Sequence, residues 1–70
     1  MGTRDSDTCL QKVGPDEPIF VLRAQDSLAA NIVRAWADRA SANGCRAEKV
    51  EEALAIADAM DAWPVHKMPD

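Results

Sequence analysis

Histidine and cysteine are scarce in this sequence, which has one histidine, His66, and two cysteines, Cys9 in a polar stretch and Cys45 beside Gly44. Neither the cysteine spacing nor any Cys-His grouping matches a zinc motif or a dense disulfide frame, so reduced, inert thiols are expected and no metal or cofactor. Long apolar runs are missing as well. Nothing approaches the roughly 20 residues of a membrane span, and the opening MGTRDSDTCLQKVG has no apolar signal-peptide core, which predicts a cytoplasmic protein with no membrane partner. Positive charge is short, with 8 Lys and Arg against 12 Asp and Glu and a net charge of −4. That balance argues against sequence-blind binding of a nucleic-acid polymer, which needs several phosphates neutralised at once, and leaves a small anionic ligand allowed. There is no Ser-His-Asp arrangement, phosphate loop or metal-binding helix motif, so no residue is assigned a catalytic role.

Size sets the next constraint. At 70 residues there is one domain at most, and a chain this short buries only about 60% of the surface it exposes unfolded. Of its hydrophobic residues 13 are alanine and 2 are cysteine, which leaves 18 large apolar side chains. Small domains usually add disulfides, a metal or a partner chain. With the first two poorly supported, a homo-oligomer is expected.

Residues 1–17 mix Gly, Thr, Asp, Ser, Lys and Pro without a period and end in the turn chemistry of Gly14-Pro15-Asp16-Glu17-Pro18, which predicts a flexible N-terminal tail before a single ligand-binding domain over 18–70. An alternative pairs Cys9 to Val13 with the following segment as a hairpin. Ile19-Phe20-Val21-Leu22 is β-branched and aromatic and reads as a strand covered on two sides. Everything after it reads as helix, so the simplest partner for that strand is the same strand of a second copy, paired antiparallel about a two-fold axis. Asp26 or Ser27 suits a helix N-cap. Leu28, Ile32, Ala35, Trp36 and Ala40 then recur at helical steps until Asn43-Gly44, giving a helix over about 27–42. Val50, Ala53, Leu54, Ala57 and Met60 repeat the pattern over about 46–62, up to Trp63-Pro64. The short connection makes the two helices antiparallel, and the alanines allow close approach. The tail after Pro64 cannot continue the helix and is expected to pack back extended over it. The expected class is α+β and mostly helical: one N-terminal strand, paired across an oligomer interface, then an antiparallel helical hairpin.

Two places hold side chains able to bind a ligand. Arg23-Ala24-Gln25-Asp26 lies where the strand gives way to a helix start, where backbone N–H groups and the positive helix end favour anions. Arg23 is a planar fork suited to phosphate or carboxylate, and Gln25 can read a base edge or a ribose hydroxyl. The plainer reading makes Asp26 a helix cap and pairs Arg23 with a carboxylate of the second helix. Trp63, His66 and Lys67 bring an indole, an imidazole and an ammonium together within five residues, able to stack a base and neutralise phosphate. Trp63 is as readily a core residue, and His66 and Lys67 in a tail are normally solvated. Trp36 could stack a base in the same way from the first helix, but a large aromatic at helical spacing among alanines reads more readily as core. Arg34 and Asp38, one turn apart, read as a surface pair. Arg39 and Asn31 have no assigned partner and could line a groove between subunits. Glu48, Glu51, Glu52, Asp58 and Asp61 read as a solvated face, or as an acidic surface that blocks the basic site of a host enzyme.

The string Glu17-Pro18-Ile19-Phe20-Val21-Leu22-Arg23-Ala24-Gln25-Asp26, the Trp36-Ala37 pair and the closing Ala62-Trp63-Pro64-Val65-His66-Lys67-Met68-Pro69-Asp70 resemble a family of very small phage and prophage proteins. That family shares an E-P-x-F-x-L-R-A-Q-D opening and a W-P-x-x-K-x-P-D ending. More loosely, the chain resembles compact helical phage sponges, of the Sequestin and Lockin type, that defeat Thoeris and CBASS immunity. The resemblance implies a homo-oligomer that binds a cyclic ADP-ribose isomer, an ADP-ribose conjugate or a cyclic dinucleotide between subunits, without turnover. On that reading Arg23 grips phosphate, Gln25 contacts base or ribose beside Asp26, Trp63 stacks, and His66 with Lys67 closes the pocket. A related phage family cleaves cyclic dinucleotides, which implies the alternative of metal-independent cleavage with His66 as general acid or base. Residues 1–16 lie outside the shared pattern.

Overall fold

The structure is a computed structural model that describes residues 11–69. Two helices pack against each other, α1 over Ala29–Ala42 and α2 over Ala47–Ala62. A turn precedes them, in which Glu17 N–H donates to the Gly14 carbonyl while Gly14 N–H donates to the Glu17 carboxylate, each at 3.1 Å. The 1–10 part of the expected tail, Cys9 included, lies outside the described residues.

The α+β expectation is not met: among the described residues there are two helices and no strand. Ile19 to Leu22 have strand-forming side chains, but a strand exists only when a neighbour satisfies its backbone ladder, and no segment of the described chain runs beside it. Phe20 is 87% exposed, so the expected covering on two sides is absent and with it the expected strand pairing. The one ladder contact falls elsewhere. Asp26 and Lys67 form an isolated parallel bridge in which Ser27 N–H donates to the Lys67 carbonyl and Lys67 N–H to the Gln25 carbonyl, each at 2.8 Å. The segment after Pro64 therefore does return over the hairpin, docking beside the entrance to α1.

Local chemistry explains the helix ends. Asp26 Oδ1 accepts from Leu28 N–H at 2.8 Å, an Asx turn that delays regular helix to Ala29. At the other end of α1, Cys45 N–H donates to the Ala40 carbonyl and Gly44 N–H to the Ser41 carbonyl, with Gly44 at φ 83°. This pair of bonds is a Schellman close, and the left-handed residue it requires is the glycine. The Asn43 amide adds a bond to the Arg39 carbonyl. Trp63 has ψ 131° because the ring of Pro64 disfavours helical geometry in the residue before it, so α2 stops there.

The interior is made of alanine. Ala29, Ala30, Ala37, Ala40, Ala53 and Ala57 are the buried hydrophobic residues among those described. Each contributes one methyl, worth about 0.8 kcal/mol, where a buried leucine contributes roughly two to three. α2 uses most of the face read from its sequence: Val50 and Met60 are half-buried around Ala53 and Ala57, whereas Leu54, read on that face, is exposed and Ile56, not read on it, is half-buried. α1 does not use the face read for it. It meets α2 through Ala30, Val33, Ala37 and Ala40, and the stripe read as its apolar side leaves Leu28, Ile32, Ala35 and Trp36 exposed. Trp36, expected in the core, is 45% exposed. Small side chains let the two helix axes approach, and this excludes the bulky stripe from the contact.

Ala37→Leu is expected to destabilise the hairpin by about 1–3 kcal/mol through overpacking, read by chemical denaturation. Gly44→Ala should cost about 1 kcal/mol from backbone strain alone, because a Cβ there meets nothing within 4 Å. A neutral outcome for Ala37→Leu would mean that α1 does not present this face to α2.

Candidate functional site

The Lys67 bridge brings both candidate segments to one end of the hairpin. Arg23, Ala24, Gln25 and Trp63 line a shallow hollow of about 150 Å³. A second hollow of about 280 Å³ is lined by Ala24, Asp26, Ser27, Ala30, Met60, Asp61 and His66. Ala24 belongs to both, so the two hollows share a wall. The six candidate residues thus divide by chemistry. The cation, the amide and the indole share the smaller hollow; Asp26 and His66 share the larger one; the Lys67 backbone ties the two segments together.

The smaller hollow suits an anion with a flat ring. No carboxylate among the described residues lines it, and Arg23, an exposed guanidinium, has no ion pair among those residues, contrary to the plainer reading that sent it to an acid of α2. Trp63 is 53% exposed and offers an indole to stack on rather than a core side chain. The larger hollow has two carboxylates, Asp26 and Asp61, on its walls and is the poorer host for phosphate.

His66 has a structural task. Its Nε2 lies 2.8 Å from the Met60 carbonyl, one of the acceptors left over where α2 ends. The Trp63 N–H donates to that same carbonyl at 3.2 Å. A carbonyl can only accept, so Nε2 carries the proton, and the imidazole holds the returning tail against the helix end. With Nε2–H committed in this way, the lone pair of the neutral ring lies on Nδ1. Asp26 likewise spends one oxygen on the Leu28 N–H, but this is an Asx turn ahead of the helix: the N-cap is Leu28, with no side-chain cap bond, and not Asp26 or Ser27 as expected.

Arg34 does not pair with Asp38. Its guanidinium reaches across the hairpin to Asp58 at 2.9 Å and Asp61 at 2.5 Å. The bonds to Asp58 and then Asp61 hold the guanidinium above its ordinary value. A raised folded-state value contributes stability that is complete below the unfolded arginine value and is lost only in strong base, so the arginine brings no pH dependence near neutrality. Equal distance from the Asn43–Arg46 connection would set Arg34 opposite Ala55, so the pairing with Asp58 and Asp61 was not readable from the hairpin register alone. The spacing of Arg34 and Asp38 within one helix concealed it. Sequence reasoning also missed Met60, Ser27 and Asp61 as walls of the larger hollow, which no local pattern marks.

No group of three or more His, Cys, Asp or Glu side chains among the described residues could hold a metal ion. Cys45 is a free, exposed thiol. No helix among the described residues is long and apolar enough to cross a membrane. No protein-family model, curated protein or solved structure matches the chain.

Asp61→Asn is expected to lower the thermal midpoint in low salt, with the difference fading near about 1 M salt as the surface pair is screened. Asp38→Asn should leave the midpoint in place. Equal effects of the two substitutions would overturn the cross-hairpin assignment of Arg34.

Proposed function

We propose that the protein is a non-catalytic capture module for a small phosphate-bearing nucleotide, held at the end of the hairpin between copies of the chain. The observation that supports this is the grouping of Arg23, Gln25 and Trp63 around one hollow. Arg23 supplies a charge-assisted fork for phosphate, Gln25 a donor and acceptor for a base edge or ribose hydroxyl, and Trp63 a face for stacking. The hollow of about 150 Å³ is smaller than the roughly 300–1,000 Å³ of pockets that enclose ligands of this size, so one copy can hold only part of a nucleotide. A second chain completes the enclosure, and burial between preorganised surfaces supplies the affinity.

Lys67 stands at the bridge beside the hollow and neutralises a second phosphate; His66 and Asp26 act by holding the walls in place. The resemblance to phage sponges makes the ligand an immune signal in a bacterial cytoplasm, of the cyclic ADP-ribose, ADP-ribose conjugate or cyclic dinucleotide kind, and makes sequestration the activity. Cleavage is the weaker reading because His66 lines the larger hollow and not the one that Arg23, Gln25 and Trp63 share. Blocking of a host enzyme by the acidic face of α2 is weaker too, since Asp58 and Asp61 are occupied by Arg34.

Calorimetric titration with ADP-ribose, cyclic ADP-ribose isomers and cyclic dinucleotides tests the proposal. At least one should bind and be recovered unchanged by chromatography after heat denaturation. Arg23→Ala is expected to weaken that binding by about 10- to 100-fold and Trp63→Ala by about tenfold or more, with helical circular dichroism retained. Absence of binding by every nucleotide, or recovery of a cleaved product, would overturn it.

A further inference from the structure

The two hollows that meet at Ala24 differ in kind. Asp26 N–H donates to the Arg23 carbonyl at 3.0 Å, so residues 23–26 make one β-turn whose end residues have Cα atoms within about 7 Å of each other. Arg23, at the start of that turn, lines the smaller hollow, and Asp26, at its end, lines the larger one. A cation and a carboxylate are thus held within the span of one small ligand.

Acceptors dominate the polar lining of the larger hollow. Asp26 gives Oδ1 to the Leu28 N–H and Asp61 gives Oδ2 to Arg34, which leaves each carboxylate one oxygen without a hydrogen bond among the described residues. His66 has its proton on Nε2, so Nδ1 offers a lone pair. Among the lining side chains only the Ser27 hydroxyl has a proton to donate. A ligand that presents neighbouring N–H groups finds partners here, and a phosphate or a carbonyl edge does not. Because one oxygen of each carboxylate is already committed, a pair of donors draws on both Asp26 and Asp61. Ala30 and Met60 add apolar wall, with a thioether suited to an aromatic ring. The volume of about 280 Å³ has room for a base and falls below the range of pockets that enclose a whole ligand.

Of the common bases, guanine alone sets two donors side by side on its pairing edge, N1–H and the N2 amino group. Adenine turns the N1 lone pair toward the same oxygens, and uracil turns carbonyls toward them, so the acceptors that favour guanine repel these competitors. We infer that the larger hollow is a base subsite selective for guanine, whose N1–H and amino group donate to the open oxygens of Asp26 and Asp61 while phosphate of the same ligand lies on Arg23. The inference rests on the nucleotide-capture reading and narrows it. Carboxylates on one side of the turn and a guanidinium on the other fix which end of the ligand enters which hollow. A guanine dinucleotide leaves its second base for Trp63.

Calorimetric titration of the full chain with GMP, IMP and AMP tests the subsite. GMP should bind about tenfold or more tightly than AMP, with IMP between them because hypoxanthine keeps N1–H and lacks the amino group. Cyclic di-GMP should likewise exceed cyclic di-AMP. Asp26→Asn preserves the Asx turn, since the amide oxygen still accepts from the Leu28 N–H, and should bring GMP down to the affinity of AMP. Arg23→Ala should weaken GMP and AMP alike. The ring protons of His66, the sole histidine, should shift in the NMR spectrum on addition of GMP and stay in place with ribose 5-phosphate, which has no base to enter the larger hollow. Equal affinities for GMP and AMP, or a preference that survives Asp26→Asn, would overturn the guanine subsite and leave nucleotide capture standing. Binding of no nucleotide at all would overturn capture itself and the subsite with it.

Discussion

Contact between two alanine faces governs this molecule. Because methyl groups fill the seam between α1 and α2, the axes can approach closely, and little apolar area is needed to close it. The same economy leaves the larger hydrophobic side chains with no place inside. A hairpin built this way is specified by shape and by its caps more than by the free energy of burial. The Schellman close at Gly44, the Asx turn at Asp26 and the imidazole on the Met60 carbonyl define where each helix stops, and Arg34 adds a charged strap across the open side.

Helices were legible in the sequence and the side they bury was only half so. Period and punctuation place both helices to within about two residues, since Asn43-Gly44 and Trp63-Pro64 are strong local signals. For α2 the apolar positions and the buried face agree at Val50, Ala53, Ala57 and Met60 and part at Leu54, which is exposed. For α1 there are two apolar faces, one bulky and one of alanine, and a periodicity argument naturally chooses the bulky one. The error about Ile19 to Leu22 has a related origin: intrinsic strand preference is a statement about fitting a pleated surface, and one chain offers no such surface here.

The candidate site was partly legible. Arg23, Gln25 and Trp63 were singled out by their chemistry, and the structure brings those three around one hollow although up to forty residues separate them. Their proximity depends on the parallel bridge between Asp26 and Lys67, a single pair of backbone bonds that has no sequence signature. His66 was legible as a functional side chain and stands in the structure as a helix-end cap, because a tail doubling back past Pro64 brings its ring within reach of a carbonyl that the helix cannot satisfy.

The bridge at Lys67 has a wider consequence. It joins the residues just before α1 to those just after α2, so the walls of the smaller hollow are assembled only when the loop enclosing both helices is shut. Any guest held there must favour the shut loop over frayed forms, and by mass action its occupancy would tighten the whole hairpin against unwinding from either end. Recognition and cohesion in so small a chain are in that sense one equilibrium, read out at two places.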